Sequence, residues 1–287
     1  MISLQDYELD RTGESPVVVS PPPKHSRRTI SISIVVALVL GIGVGAGVWF
    51  YVYRTSPSQP TATPTVARPA IAQPPVTRPL APAAVVLPPL PETDALVREF
   101  VGALSSHPTV AAWLATKGLI SNFTVVTFNI SEGKAPTTHL RALAPRARFL
   151  TAGSARLLYL DPRSYERYDG YAEAVAALDA TGAARLYLTV KPRILDAYRE
   201  LGSPDGDFDP VLERAIGELL RVPVVEGNIP LQRKVVSFAF ADPTLESLSP
   251  VQRQFLRMGP RNVEAVQAKL REIATLLSLH PEGAQTK

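Results

Sequence analysis

An uncharged, strongly apolar run at residues 29–53 constrains the fold of this chain more than any other feature of its sequence. It reads TISISIVVALVLGIGVGAGVWFYVY and contains no acidic or basic side chain. A helix of this length measures roughly 37 Å at about 1.5 Å per residue, which is enough to cross the hydrocarbon core of a bilayer with some tilt. Such a helix also pairs all of its own backbone polar groups. The sequence therefore predicts a single transmembrane helix at residues 29–53.

The charges that flank this run predict its orientation. Lys24, Arg27 and Arg28 precede it, whereas only Arg54 follows closely. Because positively charged flanks are retained in the cytoplasm, we expect residues 1–28 to form a cytoplasmic tail. The rest of the chain is then expected on the opposite side of the membrane.

Two alternatives concern the same run. A cleaved signal peptide is disfavoured because the apolar stretch is too long and no small-x-small cleavage site closely follows it. The glycines at 41, 43, 45 and 47 allow close helix pairing in a homodimer, since small residues four positions apart let two backbones approach. However, the two glycine pairs lie on nearly opposite faces, and glycine is common in membrane helices in any case.

A proline-rich segment follows at residues 54–91. The chain has 28 prolines, and they recur through this segment between Ala, Thr, Val, Gln and Arg. Proline removes the backbone donors that helices and sheet ladders need, so this sequence predicts a solvated, extended spacer. Its reach is at most on the order of 110 Å at about 3.1 Å per residue. The alternative, a docking site for a proline-reading partner, lacks repeated aromatic or basic anchors.

Net charge and composition exclude several function classes. The chain carries a net charge of +4, but from residue 92 onward 23 basic residues face 22 acidic ones. Without a basic footprint on the folded part, nucleic acid is not expected as a partner. The absence of cysteine excludes thiol catalysis, disulfides and cysteine-ligated metals.

Residues 92–280 are long enough to form one compact domain, and residues 281–287 are expected to be a flexible C-terminus. Apolar residues at three and four spacing dominate the segment and predict helices. A short hairpin is predicted around residues 148–160, and one strand is predicted at residues 229–241. Helices are also expected at residues 162–180 and 183–201, divided near Thr181 and Gly182. The prediction is a mainly α, α+β domain with a small β hairpin or sheet.

Seven short segments of this domain resemble a known bacterial family. They are Trp113-Leu-Ala-Thr116, residues 123–133, Tyr165-Glu-Arg-Tyr168, Lys191-Pro192, Ala197-Tyr-Arg-Glu-Leu-Gly202, Ala241-Asp-Pro243 and Leu256-Arg-Met-Gly-Pro260. In this order they are similar to the family designated domain of unknown function three thousand and fourteen, from about residue 87 onward. The anchor and proline-rich stalk are also similar to that family's layout. The resemblance implies no activity, no cofactor and no catalytic residue.

Catalytic and metal motifs fail when tested in detail. Ser131 and Lys134 match the Ser-x-x-Lys pair of acyl enzymes, but the companion motifs are missing and Gly133 indicates a helix end. The acids at 205, 207 and 209 suggest a calcium loop, but the required glycine and glutamate are replaced by Pro210 and Ile216. The sequence therefore predicts no catalytic set, no metal site and no cofactor.

Two groups of residues are candidates for binding. Arg257, together with Arg261 and Asn262 at the start of the last helix, is predicted to form a site for an anionic ligand. Tyr168 and Arg167 form a second candidate, because tyrosines beside arginines can stack on sugar rings. The alternatives are arginines paired with acids such as Glu246 and tyrosines used only for packing.

Together these features predict a single-pass protein of the bacterial inner membrane, with a cytoplasmic N-terminus and a periplasmic C-terminal domain. We expect it to contact inner-membrane lipid through residues 29–53 and to bind or organise an envelope component. The alternative is a hydrolase that acts on peptidoglycan or another envelope polymer through carboxylates paired by the fold.

Overall fold

The computed structural model describes residues 85–154, 157–203, 206–235 and 237–283. The predicted cytoplasmic tail, the transmembrane helix at residues 29–53 and most of the proline-rich segment lie outside these ranges. Within the described ranges, no helix combines the length and the apolar composition needed to cross a bilayer.

The domain is mainly helical. Its α-helices, in chain order, are α1 Thr93–Leu104, α2 Pro108–Leu114, α3 Leu119–Ser131, α4 Arg163–Glu166, α5 Asp169–Ala176, α6 Ala180–Glu200, α7 Asp209–Leu220, α8 Pro243–Glu246, α9 Pro250–Leu256 and α10 Pro260–Leu276. Short 3-10 helices add Leu90–Glu92 and Arg141–Leu143.

In the described residues, four short strands form one antiparallel sheet. They are β1 Thr151–Gly153, β2 Leu158–Leu160, β3 Pro230–Arg233 and β4 Phe238–Phe240, and they lie in the order β1-β2-β3-β4. The sheet therefore consists of two hairpins, 151–160 and 230–240, joined through the pairing of β2 with β3. The predicted mainly α, α+β class is confirmed.

Two details of the predicted secondary structure are wrong. The strand expected at residues 229–241 is a hairpin, because the backbone amide of Lys234 donates to the carbonyl of Ser237 at 2.9 Å and reverses the chain. The helix expected at residues 162–180 is split into α4 and α5. The division expected at Thr181 does not occur, since the Asp179 carboxylate accepts from the amides of Thr181 and Gly182, both at 3.0 Å, and thereby starts α6.

Helix α6 runs through the core. It packs against α3 and α10, while α7 packs against α3, α9 and α10. Phe208 lies at the centre of this arrangement, with its ring 6.1 Å from that of Phe123 and 5.4 Å from that of Tyr198. The second contact is edge-on, which is a favoured geometry for two aromatic rings.

Two charged side chains of α1 fix the turn between α2 and α3. The Asp94 carboxylate accepts hydrogen bonds from the backbone amides of Gly118 and Leu119, both at 2.8 Å. Arg98, one helical turn away, donates to the carbonyl of Leu114 at 2.8 Å. Asp94 therefore pairs with free amides at the start of α3, and Arg98 pairs with a free carbonyl at the end of α2. Each side chain carries the charge that the helix dipole favours at that end.

The end of the predicted stalk contacts the domain. Val85, Leu87 and Leu90 pack against the core. The guanidinium of Arg193, on α6, donates to the backbone carbonyl of Leu87 at 3.1 Å. The chain therefore enters the domain along α6 before α1 begins.

Candidate functional site

The residues predicted for binding lie on two segments that pack against each other. One is the junction of α4 and α5 at residues 165–169, and the other is the turn between α9 and α10 at residues 257–262. Gly259 makes this contact close, because its φ of 85° turns the chain and its Cα faces the ring of Tyr165. The fold thus brings both sequence-predicted groups into one region.

Arg261 and Asn262 share an internal partner. Asp169 receives an ion pair from the Arg261 guanidinium at 3.0 Å and a hydrogen bond from the Asn262 side-chain amide at 2.9 Å. Asn262 is buried and also donates to the backbone carbonyl of Met258 at 3.0 Å. These two side chains therefore hold α10 against α5, and the pairing partner is an acid other than those considered from the sequence.

An open cavity of about 200 Å³ lies at this contact, lined among others by Tyr165, Glu166, Asp169, Gly259, Arg261 and Asn262. Among the described residues that line it, two carry carboxylates and one carries a guanidinium. Since that guanidinium is already paired with Asp169, the charge of the cavity does not favour an anion.

Arg257 lies apart from this cavity, against the sheet. Its Nη2 donates to the backbone carbonyl of Phe238 at 2.9 Å, and its guanidinium lies 5.3 Å from the centre of the Phe240 ring. Its Nε is buried and has no hydrogen-bond partner among the described residues. Burial is the main cause that lowers the pKa of Arg257; Tyr168 and the carboxylate of Glu246 act in the opposite direction, and the positive charges of Arg253 and Arg167 lower the pKa further.

Arg167 lies close to the same place. Its guanidinium lies 4.7 Å from the ring centre of Tyr168 and 5.2 Å from that of Phe149, and its Nε donates to the carbonyl of Ser164 at 2.9 Å. Burial lowers the pKa of Arg167 as well. Arg257 lies close enough to interact electrostatically with both Arg167 and Tyr168. We refer to Arg167, Tyr168 and Arg257 as the arginine–tyrosine cluster.

The two arginines of this cluster differ from the nearby arginines in their ion pairs. Neither Arg167 nor Arg257 forms an ion pair with a carboxylate in the described part of the chain. By contrast, Arg253 contacts the Glu246 carboxylate at 3.3 Å, and Arg261 contacts Asp169. Two half-buried guanidiniums that have, among the described residues, only the more distant charge of Glu246, which acts on Arg257, are costly to hold together, and an anion placed between them would lower that cost.

Tyr168 leads to a prediction about pH. Its side chain is buried, and this burial raises its pKa to about 12, although the two arginines act in the opposite direction. The unfolded chain releases the same proton near pH 10, so the folded state binds more protons between about pH 10 and 12. The free energy of unfolding is therefore expected to fall over this range, by about 2–3 kcal/mol from Tyr168 alone.

Urea unfolding of the full chain and of Tyr168→Phe at pH 8, 10 and 11.5 measures this effect. The stability of Tyr168→Phe should depend less steeply on pH above pH 10. Equal slopes for the two proteins would show that burial does not hold the Tyr168 proton.

The sequence of the chain matches a protein-family model. The family described as Protein of unknown function (DUF3014) matches residues 119–274, which is more than half of the sequence. The chain belongs to this family. The match runs from α3 into α10 and includes the whole arginine–tyrosine cluster. No curated protein and no solved structure matches the chain.

A second polar cluster of the DUF3014 domain explains the acids that suggested a calcium loop. The Lys191 ammonium contacts Asp207 at 3.1 Å and Asp209 at 2.6 Å. The buried Tyr187 hydroxyl donates to Asp209 at 2.5 Å, and burial followed by this hydrogen bond raises the pKa of Tyr187. A lysine thus provides the counter-charge for these two acids. In the ranges that the structure describes, no group of acids and histidines is arranged to hold a metal ion.

Sequence reasoning did not identify the aromatic side of the site. The rings of Phe149 and Phe238 lie 5.5 Å apart, and the Arg233 guanidinium lies 5.8 Å from the ring centre of Phe238. The arginine–tyrosine cluster of this DUF3014 member therefore borders a row of arginine–aromatic contacts along the sheet. The alternation that places Phe238 and Phe240 on one face was the sequence signal that could have indicated this aromatic surface.

Proposed function

We propose that this DUF3014 protein is a single-pass protein of the bacterial inner membrane whose periplasmic domain binds an anionic component of the cell envelope. The uncharged run at residues 29–53 supports the anchor, and the basic residues before it support a cytoplasmic N-terminus. The proline-rich segment that follows would act as a spacer. Binding, rather than catalysis, is the role proposed for the domain.

The unpaired arginines of the arginine–tyrosine cluster are the observation that carries this proposal. Arg167 and Arg257 are half-buried, both lose part of their hydration, and neither forms an ion pair with a carboxylate in the described ranges, although the carboxylate of Glu246, which is paired with Arg253, also acts on Arg257. Where the domain uses arginine only for structure, as at Arg253 and Arg261, a carboxylate lies within ion-pair distance. The contrast between the ion-paired Arg253 and Arg261 and the unpaired Arg167 and Arg257 favours an external anion at the cluster.

The donors of the cluster favour a carboxylate or a phosphate group. Guanidinium groups match the oxygens of both in planar, two-point hydrogen bonds, and burial strengthens such contacts. The Nε of Arg257 is a donor without a partner. The adjoining, half-buried ring of Phe149 provides apolar surface for the part of the ligand that carries the anion.

Photocrosslinking in cells tests this proposal with the full anchored chain. A p-benzoylphenylalanine in place of Arg148, the exposed neighbour of Phe149, puts the reactive group beside the cluster. Mass spectrometry of the products should show an envelope component enriched over a control that carries only residues 1–91. Arg257→Gln is expected to reduce capture about tenfold, a loss typical of one charged hydrogen-bonding partner.

Matched arginine variants make the result specific. Arg253→Gln removes an arginine of α9 that is already paired with Glu246, and it should leave capture unchanged. Arg261→Gln removes the sequence-predicted residue that is paired with Asp169, and it should also have little effect. Equal capture by Arg257→Gln and Arg253→Gln would contradict a role for the cluster. Arg257→Lys keeps the charge and should retain part of the capture, which separates binding from misfolding.

The hydrolase alternative requires two carboxylates that face each other across a cleft. Glu166 and Asp169 both line the 200 Å³ cavity, but they lie only three residues apart in the chain, at the junction of α4 and α5. Asp169 is also engaged by Arg261 and Asn262. This arrangement favours binding over hydrolysis.

A further inference from the structure

Both hairpin turns of the sheet lie at the same end of it. Gly153 pairs with Leu158 across the first hairpin, and Arg233 pairs with Phe238 across the second. Because β2 and β3 are antiparallel and Leu158 pairs with Leu231, the start of β2 and the end of β3 point the same way. We define the hairpin end as Leu157, Arg233, Lys234 and Val235.

Apolar side chains are exposed at this end. Val235 is fully exposed and Leu157 is 56% exposed, although both are large and apolar. Most large apolar side chains of the described residues are instead buried in the core. Exposed apolar residues that project together from a sheet end are typical of a contact surface.

The charge at the hairpin end is positive. Arg233 and Lys234 are exposed next to Val235, and neither turn sequence, 154–157 or 234–237, contains an acid. This combination of basic groups and a few projecting apolar side chains is complementary to an anionic bilayer, where headgroups meet the bases and the acyl region accepts the apolar side chains. Two separate apolar side chains are too few for a stable protein interface, which buries about 800 Å² on each partner.

We propose that the hairpin end docks onto the surface of an anionic phospholipid bilayer. The inference rests on the proposed membrane anchor, because tethering raises the local concentration of the domain at the membrane, so that a weak contact suffices. A stalk of residues 54–91 limits how far the domain can lie from the bilayer, and it does not prevent the domain from contacting the bilayer surface. Docking would fix the orientation of the arginine–tyrosine cluster, since Arg257 contacts the backbone of Phe238, the first residue of β4, next to the turn of the second hairpin.

A fluorescent label at the hairpin end tests the proposal. The chain contains no cysteine, so Val235→Cys accepts a single environment-sensitive nitrobenzoxadiazole label, and full exposure of Val235 makes this substitution harmless to the core. The labelled full chain is reconstituted into vesicles of phosphatidylcholine alone or with 30% phosphatidylglycerol, a composition on the order of that of an anionic bacterial membrane. We expect a blue-shifted emission only in the anionic vesicles. Leu201→Cys, which labels an exposed residue at the C-terminal end of α6 and outside the hairpin end, is the control and should show no shift.

Charge variants separate docking from non-specific adsorption. Arg233→Gln with Lys234→Gln should lower the equilibrium constant for docking roughly thirtyfold, as expected for the loss of two basic residues at a membrane surface. Lys117→Gln with Arg214→Gln removes the same two residue types from exposed positions outside the hairpin end and should have no effect. Equal emission from positions 235 and 201 in anionic vesicles would overturn the proposal.

Vesicle flotation distinguishes this result from a failure of the proposed anchor. If the unlabelled chain does not float with neutral vesicles, the anchor is wrong. The same label at position 235 then still reports contact when anionic vesicles are added to the free chain. A blue shift under those conditions supports docking on its own, and its absence at a vesicle concentration high enough to replace the tether overturns it.

Discussion

Replacing Gly259 by alanine is expected to lower the free energy of unfolding by about 3–5 kcal/mol. Gly259 has a φ of 85° and a ψ of 162°, a conformation that side-chain-bearing residues rarely adopt. An added Cβ would also lie only 2.7 and 2.8 Å from the Cδ2 and Cδ1 atoms of Tyr165. Backbone strain and steric overlap therefore act together at the contact between the two halves of the site.

Chemical unfolding followed by circular dichroism measures this effect, with Gly102→Ala as the matched control. Gly102 lies exposed within α1, and an added Cβ there meets nothing within 4 Å. Alanine at this position should be neutral or should stabilise by up to about 1 kcal/mol, because it favours the helix. Similar stabilities for Gly259→Ala and Gly102→Ala would contradict the geometry of the turn before α10.

Gln267→Leu is the second substitution with a large expected effect. The buried side-chain amide of Gln267 donates to the backbone carbonyls of Leu219 at 3.0 Å, Leu220 at 3.3 Å and Val222 at 2.9 Å. These carbonyls lie at the end of α7, where a helix lacks internal donors. Leucine would leave the carbonyls of Leu220 and Val222 without this donor, while the carbonyl of Leu219 keeps a hydrogen bond from the amide of Val222 at 3.3 Å. The expected cost is about 2–4 kcal/mol in the free energy of unfolding.

Gln254→Leu provides a control with the same chemistry. Gln254 is also buried, but its Nε2 has no hydrogen-bond partner among the described residues. Removing that amide should change the free energy of unfolding by less than about 1 kcal/mol. The midpoint of urea unfolding compares the two variants directly. If both destabilise equally, Gln267 contributes through its volume rather than through its hydrogen bonds.

Local signals in the sequence predicted several helix starts. Asp242 and Ser249 each cap a helix with their side chains, and prolines occupy the first helical positions at 243 and 250, whereas the cap at Asp179 was not recognised. These signals act within three or four residues, so they can be read without the fold. The second hairpin was missed because its turn contains no glycine, proline or asparagine to mark the reversal.

The candidate site depended on contacts that no local pattern encodes. Asn262 bonds to Asp169, 93 residues earlier in the chain, so the acid that pairs with the α10 residues could not be identified from neighbouring positions. Arg167 and Arg257 were each singled out from the sequence, but their proximity follows from the packing of α4 and α9 beside the sheet. The periodicity of the helices predicted their buried faces and left their partners undetermined.

The attachment of Leu87 to Arg193 determines how mechanical load enters the domain. A pull on the chain from its N-terminal side would act first on this hydrogen bond and on the packing of Val85 and Leu87. The force would therefore reach α6, the longest helix of the described residues, before it reached α1. A domain tethered in this way resists peeling from its N-terminal end and cannot swivel freely about residue 92.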